Sequence, residues 1–168
     1  MSNDAFEPRL IGFLCRWCSY NGADLAGTSR IKYPPNMVPI KTNCSGRIDP
    51  TFVLKAFQEG ADGVLIAGCH PGDCHYINGN YRTAGRYALL EKLLLQMGLE
   101  PGRVRLEWIS AAEGDRFAQT VREFTEQIRA LGPLRWNDQF ADLGGGDDQF
   151  DDGGEAPSGD RQLEGAAV

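Results

Sequence analysis

The sequence predicts an α/β domain: a four-stranded parallel sheet with helices on both faces, in the flavodoxin-like strand order 2-1-3-4. Short apolar runs alternate along the chain with helix-period segments, the pattern of a parallel sheet with crossover helices. The run at 62–68 is branched and apolar without alternation, as a strand buried on both faces must be. Residues able to bind metal follow the first three apolar runs directly, and in open parallel sheets ligands bind outside the carboxyl ends of the strands.

The first strand is expected at 9–14, a short apolar run that reaches Cys15. The stretch 19–30 is small and polar, fitting a short helix or an irregular turn. Pro34, Pro35 and Asn36 form a turn signal, and 37–42 then reads as a second strand running into Cys44. Asp49 and Pro50 are a helix start, because Asp caps free amides and proline suits the first helical position. Val53, Leu54 and Phe57 form its apolar face, and Gly60 ends it. The third strand, 62–68, leads to Cys69.

A third helix is expected over 83–97, where Tyr87, Leu90, Leu94 and Met97 share one face and Gly98 stops the element. Residues 103–109 alternate Val104, Leu106 and Trp108 against Arg103, Arg105 and Glu107, the period of an edge strand with one more exposed face. Phe117, Val121, Phe124, Ile128 and Leu131 repeat at helical spacing, and Gly132 and Pro133 close this last helix.

The division expected is a domain over 1–133 and a tail over 134–168. The chain has 168 residues and a net charge of -6, but nine acids against two bases in the tail put -7 there. The remaining +1 indicates neither an acidic body nor a basic nucleic-acid face. With seven glycines and no apolar period past Pro133, disorder is expected of the tail, although Trp136 and Phe140 are candidates to dock. No apolar run approaches the roughly 20 residues of a membrane helix, and the polar, acidic start lacks the pattern of a secretory signal. A cytoplasmic protein is expected.

All five cysteines, Cys15, Cys18, Cys44, Cys69 and Cys74, and both histidines, His70 and His75, lie between positions 15 and 75. Five is an odd number for a closed disulfide framework, so metal or redox chemistry leads. In the predicted strand order the three strands that precede the cysteines are neighbours, and thiolates far apart in sequence meet at one end of the sheet. A 2Fe-2S cluster needs four thiolates, leaving one of the five spare. Gly46, Gly68 and Gly72 let backbone amides approach the sulfurs, while Arg16, Lys41 and Arg47 supply positive charge nearby.

Other readings use fewer of these features. A structural zinc site also takes four cysteines, but zinc modules usually pair two Cys-x-x-Cys knuckles and only one is present. A thioredoxin-like dithiol at Cys15 and Cys18 leaves the other three unexplained, and inert buried cysteine explains none of the clustering. A Rieske site requires both histidines on one iron; each directly follows a cysteine, so they read as outer hydrogen-bond donors or surface residues. The segment 78–80 reads first as a turn, with a cluster-covering loop as the sharper alternative, and Trp17 as packing. No phosphate loop, serine-nucleophile motif or helical zinc motif is visible. Docking surfaces are therefore expected in place of a catalytic pocket, with 105–108 and 75–82 as candidates.

Between about Pro8 and Pro133 the sequence resembles the delta subunit of methyl-viologen-reducing NiFe hydrogenase. The motifs carrying this are Cys-Arg-Trp-Cys-Ser-Tyr-Asn-Gly-Ala-Asp-Leu-Ala-Gly from 15, Tyr-Pro-Pro-Asn from 33 and Cys-Ser-Gly-Arg-Ile-Asp-Pro from 44, then Gly-Cys-His-Pro-Gly-Asp-Cys-His-Tyr from 68 and Glu-Trp-Ile-Ser-Ala from 107. The resemblance implies a 2Fe-2S cluster relaying electrons from a hydrogenase or formate dehydrogenase to the flavin subunit of a heterodisulfide reductase. In methanogenesis that assembly performs flavin-based electron bifurcation. The family's cysteines map onto Cys15, Cys18, Cys44, Cys69 and Cys74, four of which would be ligands. The acidic tail departs from the family pattern.

Overall fold

In the computed structural model, which describes residues 6–136, eight principal elements alternate. They are β1 (Leu10–Cys15), α1 (Ser19–Thr28), β2 (Met37–Thr42), α2 (Pro50–Gln58), β3 (Gly63–Gly68), α3 (Gly79–Gln96), β4 (Val104–Trp108) and α4 (Gly114–Leu131). The sheet order is β2-β1-β3-β4, with every pairing parallel, as the sequence predicts. Residues 137–168, which carry all nine acids of the tail and Phe140, lie outside the described residues.

Alternation along the two inner strands divides the core into two layers. Phe13 of β1 and Val64 and Ile66 of β3 pack with Val53 and Phe57 of α2 and with Leu90 and Leu94 of α3. Leu14 of β1 and Ala67 of β3 point the other way, onto Ala26 of α1 and Phe117 and Val121 of α4. Leu10, Leu65, Phe124 and Ile128 extend that second layer. The apolar faces expected of α2, α3 and α4 are thus the faces that are buried.

Of the short helix or irregular turn expected at 19–30, residues 19–28 form the helix, whose fully buried Ala26 fixes it against the sheet. Several local details differ from the sequence reading. α3 starts at Gly79 and not at Thr83, so the turn expected at 78–80 is a helix entry. Ser45–Arg47 make a 3-10 turn that no periodicity signals. β4 is an edge strand, but its alternation is muted: Arg105 is partly covered through ion pairs with Glu107 and Glu123. Arg103, expected on an exposed face, is buried at 2% exposure. It precedes β4 and turns inward to donate to the carbonyls of Asp62 and Gly132.

The segment after α4 folds back on the body. The Leu134 amide donates to Asp62 Oδ1, and Trp136 meets Phe57 edge-on at 6.4 Å. Beside α2, Val38 and Ile40 of edge strand β2 are 59% and 40% exposed. They line, with Ile11, Phe13, Phe52 and Ala56, an apolar concavity of about 800 Å³ that no cysteine borders. Among the described residues no helix is long and apolar enough to cross a membrane.

Candidate metal centre

Three loops at the carboxyl edge of the sheet, those after β1, β2 and β3, bring the five cysteines together. Cys15 ends β1, Cys18 heads α1, Cys44 caps the 3-10 turn after β2, Cys69 follows β3 directly, and Cys74 lies in the loop before α3. All five are buried and none is in a disulfide. Their sulfurs form two groups. Cys15, Cys18 and Cys69 lie mutually within 4.8 Å, with 3.9 Å between Cys15 Sγ and Cys69 Sγ. Cys44 Sγ and Cys74 Sγ stand 3.8 Å apart.

Backbone amides converge on these sulfurs. The Gly46 amide donates to Cys44 Sγ over 3.4 Å. Tyr76, Asn80 and Gly79 offer their amides to Cys74, the last two from the first turn of α3. Trp17 and Ser45 do so for Cys15, and His75 for Cys69. Amides at a helix N-terminus carry partial positive charge and favour an anionic sulfur.

The thiol ionisations follow from burial and these donors. Cys18 donates to Cys15, which holds the Cys15 thiol down to about 5 and pushes Cys18 strongly up. Burial raises Cys44 to about 11 and raises Cys69. Burial also opposes ionisation of Cys74, but the amides of Tyr76, Asn80 and Gly79 outweigh it and leave that thiol lowered.

Polar side chains that the sequence reading passed over fix the loops. Ser19 Oγ accepts from the Cys15 amide at 2.9 Å and donates to the Ala67 carbonyl at 2.8 Å, tying the first cysteine to β3. Buried Asn80 donates to the carbonyls of Cys69 and His70. Thr83 donates to Ser45 Oγ, joining α3 to the turn after Cys44. Of the three glycines singled out, Gly46 supplies its amide and Gly72 a positive φ of 95°. Gly68 is different: a Cβ there would stand 2.6 Å from Ser45 Oγ. Gly79 has the same role beside Cys44 and Cys74, yet reads in sequence as ordinary turn chemistry.

The two histidines have different partners. His70 Nε2 pairs with Glu113 at 2.7 Å. His75 stacks on half-exposed Trp17 with 3.8 Å between ring centroids. Together they line a cleft of about 280 Å³ that reaches Cys18 and Cys69. The three basic residues lie over aromatic rings, Arg16 on Trp17, Lys41 on Tyr20 and Arg47 on Phe52.

Comparison with known proteins places this arrangement in a family. The chain is 52% identical over 128 residues, 76% of its length and 89% of the other's, to the vhc iron-sulfur subunit of the F420-non-reducing hydrogenase of Methanococcus voltae. It is 48% identical over 134 residues, 80% of its length and 98% of the other's, to the iron-sulfur subunit of the F420-non-reducing hydrogenase of Archaeoglobus profundus. A third relative is much longer. This subunit of the ferredoxin/F420H2-dependent CoB-CoM heterodisulfide reductase of Methanosarcina acetivorans is 50% identical over 127 residues, 76% of this chain but 16% of that protein. Residues 10–132 match the model of one family, and the chain belongs to it: the methyl-viologen-reducing hydrogenase, delta subunit family.

Proposed function

We propose that this chain carries a 2Fe-2S cluster and relays single electrons inside an oxidoreductase complex. The observation that carries the reading is the spacing of the sulfurs, 3.9 Å within one group and 3.8 Å within the other. Tetrahedral metal–thiolate bonds of about 2.3 Å put two sulfurs on one metal about 3.8 Å apart. Two such pairs suit two irons. A 4Fe-4S cubane takes one thiolate on each iron, which holds the four sulfurs farther apart.

Mononuclear zinc, the alternative weighed from sequence, suits the arrangement less well. Four thiolates on one zinc are all mutual neighbours, whereas the mutually close group here is Cys15, Cys18 and Cys69, without Cys44 or Cys74. The four ligands come from the five cysteines. The cluster supplies a one-electron carrier, and the chain's residues do the rest. Amides of Gly46, Tyr76, Gly79 and Asn80 face the sulfurs and favour negative charge there. Burial of every cysteine limits the access of water to the sulfurs.

The names of the relatives support the partners. A homologous stretch forms part of a heterodisulfide reductase polypeptide in one organism and nearly all of a hydrogenase iron-sulfur polypeptide in others. We take residues 1–133 as a cytoplasmic electron-transfer domain and 134–168 as its acidic tail. It passes electrons from a hydrogenase or formate dehydrogenase to the flavin subunit of a heterodisulfide reductase. Full-length protein purified without oxygen should be brown, bleach with dithionite and show a reduced S = 1/2 resonance. Colourless protein with stoichiometric zinc after the same preparation overturns the reading.

A further inference from the structure

We propose that residues 137–155 bind back across the outer face of α3 of the same chain, their carboxylates on Arg82 and Lys92 and their phenylalanine rings on Tyr81, Leu89 and Leu93. The contact needs no metal at the cysteines. Its occupant lies beyond the stretch 10–132 that matches the family.

The outer face of α3 is unlike that of a solvated helix. Tyr81, Gly85, Leu89 and Leu93 follow one another at four-residue spacing and so share one side. Tyr81 is 58% exposed and Leu89 71%, with Leu93 exposed beside them. Nothing lies within 4 Å of the Cβ position of Gly85, which leaves an open notch in the stripe between Tyr81 and Leu89. Arg82 and Lys92 flank it, and neither has an ion pair among the described residues. The one acid of this helix, Glu91, faces Tyr87 instead. By contrast α4, also 18 residues long, turns no large apolar residue to solvent. Contiguous exposed apolar surface rimmed by charge marks an interaction site.

Unpaired bases beside apolar side chains call for an acidic segment that also carries large apolar residues. Residues 137–155 hold seven acids, no base, and Phe140, Leu143 and Phe150. The triplet Asp-Gln-Phe occurs twice, at 138–140 and 148–150, and Asp142 and Asp151 follow the two rings. Each phenylalanine is therefore carried between carboxylates. The segment also starts on the correct side of the sheet, because Leu134 and Trp136 pack on the core layer shared by α2 and α3. The 14 residues from Trp136 to Phe150 span up to about 46–50 Å, whereas an 18-residue helix is about 27 Å long. Both repeats reach α3, and tethering supplies an effective concentration on the order of mM. The apolar concavity between α2 and β2 suits this segment less well. Glu7 and Glu59 line it, and its Lys55 is already paired with Glu59.

The test uses the full chain, purified anaerobically. A water-soluble carbodiimide joins amines to carboxylates in direct contact, and the chain has four lysines, Lys32, Lys41, Lys55 and Lys92. At low salt, peptide mapping should find Lys92 joined to acids of 137–155 several-fold more often than any other lysine. High salt, which screens exposed charges, should abolish the preference. Chymotryptic cleavage after Phe140 and Phe150 provides a second readout. It should be slow in wild type at low salt and several-fold faster in Leu89→Ser and in the double variant Arg82→Gln with Lys92→Gln. The double variant Arg116→Gln with Arg122→Gln removes the same charge from α4 and should be cleaved as wild type is, with circular dichroism verifying the fold of each protein.

Coupling at Lys55 in place of Lys92 puts the segment in the concavity and overturns the proposal. Coupling of Lys92 only between chains of different isotopic label assigns the face to a second copy and overturns it as well. Cleavage of wild type as fast as that of both α3 variants, or equal acceleration in the α4 variant, has the same force. The coupling is read on wild type, so a variant that fails to fold leaves the test intact.

Discussion

Gly79 lies so close to Cys44 that a Cβ on it would overlap Cys44 Sγ and stand 3.0 Å from Cys74 Sγ. The absence of a side chain at the start of α3 is therefore what lets the helix amides reach the second sulfur pair. Gly79→Ala should push the helix away from Cys44 and Cys74 and lower iron content several-fold. Gly85, further along α3, has nothing within 4 Å of its Cβ position. Gly85→Ala should keep full iron and gain about 0.5–1 kcal/mol of stability from helix propensity. Equal iron in both variants would show that the close approach at Gly79 has no part in holding the site.

Asn80 provides a second check on the same loop. Its buried amide bonds the carbonyls of Cys69 at 3.3 Å and His70 at 2.6 Å, so it fixes the chain on both sides of one peptide beside a cysteine. Asn80→Ala leaves those acceptors facing a void, which costs about 1–3 kcal/mol. The midpoint of urea unfolding should fall accordingly. A midpoint equal to that of wild type would mean that water replaces the amide without loss.

The parts of this architecture legible in the sequence were those with a period or a position. Branched apolar runs marked β1 and β3, the spacing of Phe117 through Leu131 marked α4, and cysteines at strand ends marked the edge where the sulfurs gather. Gly79 and Asn80 read in sequence first as turn chemistry, and Ser19 and Thr83 carry no signal for their bonds, because the work of these residues is done through the backbone or across long sequence separations. Thr83 bonds Ser45, 38 residues away, and no local pattern encodes such a bond. Arg103 was misjudged for a related reason. Period-two alternation predicts which side of a strand a residue leaves from, not that a long side chain preceding the strand will turn inward.

Arg103 makes its own prediction. It is 2% exposed, donates to the carbonyls of Asp62 and Gly132 at 3.1 Å each, and pairs with Glu100. Those bonds tie the start of β3 to the end of α4, on the opposite edge of the sheet from the cysteines. Arg103→Met keeps much of the volume but strips both carbonyls of their partner, at about 1–3 kcal/mol each. Stability should drop while the visible spectrum of the folded, iron-loaded protein stays unchanged. A changed spectrum with unchanged stability would contradict this division between the two edges.

The Glu113 carboxylate accepts from the Ser110 amide at 2.6 Å and pairs with His70 Nε2 at 2.7 Å. First the Ser110 amide and then His70 hold it down to about 2, from an ordinary value of 4.5. A depressed carboxyl stabilises the fold fully above its unfolded value and loses that contribution as pH falls through its folded one. The side chain is 34% exposed, so solvent screening keeps the effect below about 1 kcal/mol. Glu113→Gln should be slightly less stable than wild type at pH 7, and the gap should close between about pH 4.5 and pH 2. Unfolding of the two proteins at each pH measures the gap directly, because acid effects common to both cancel in the difference. A gap that widens below pH 4.5 would place the titration elsewhere.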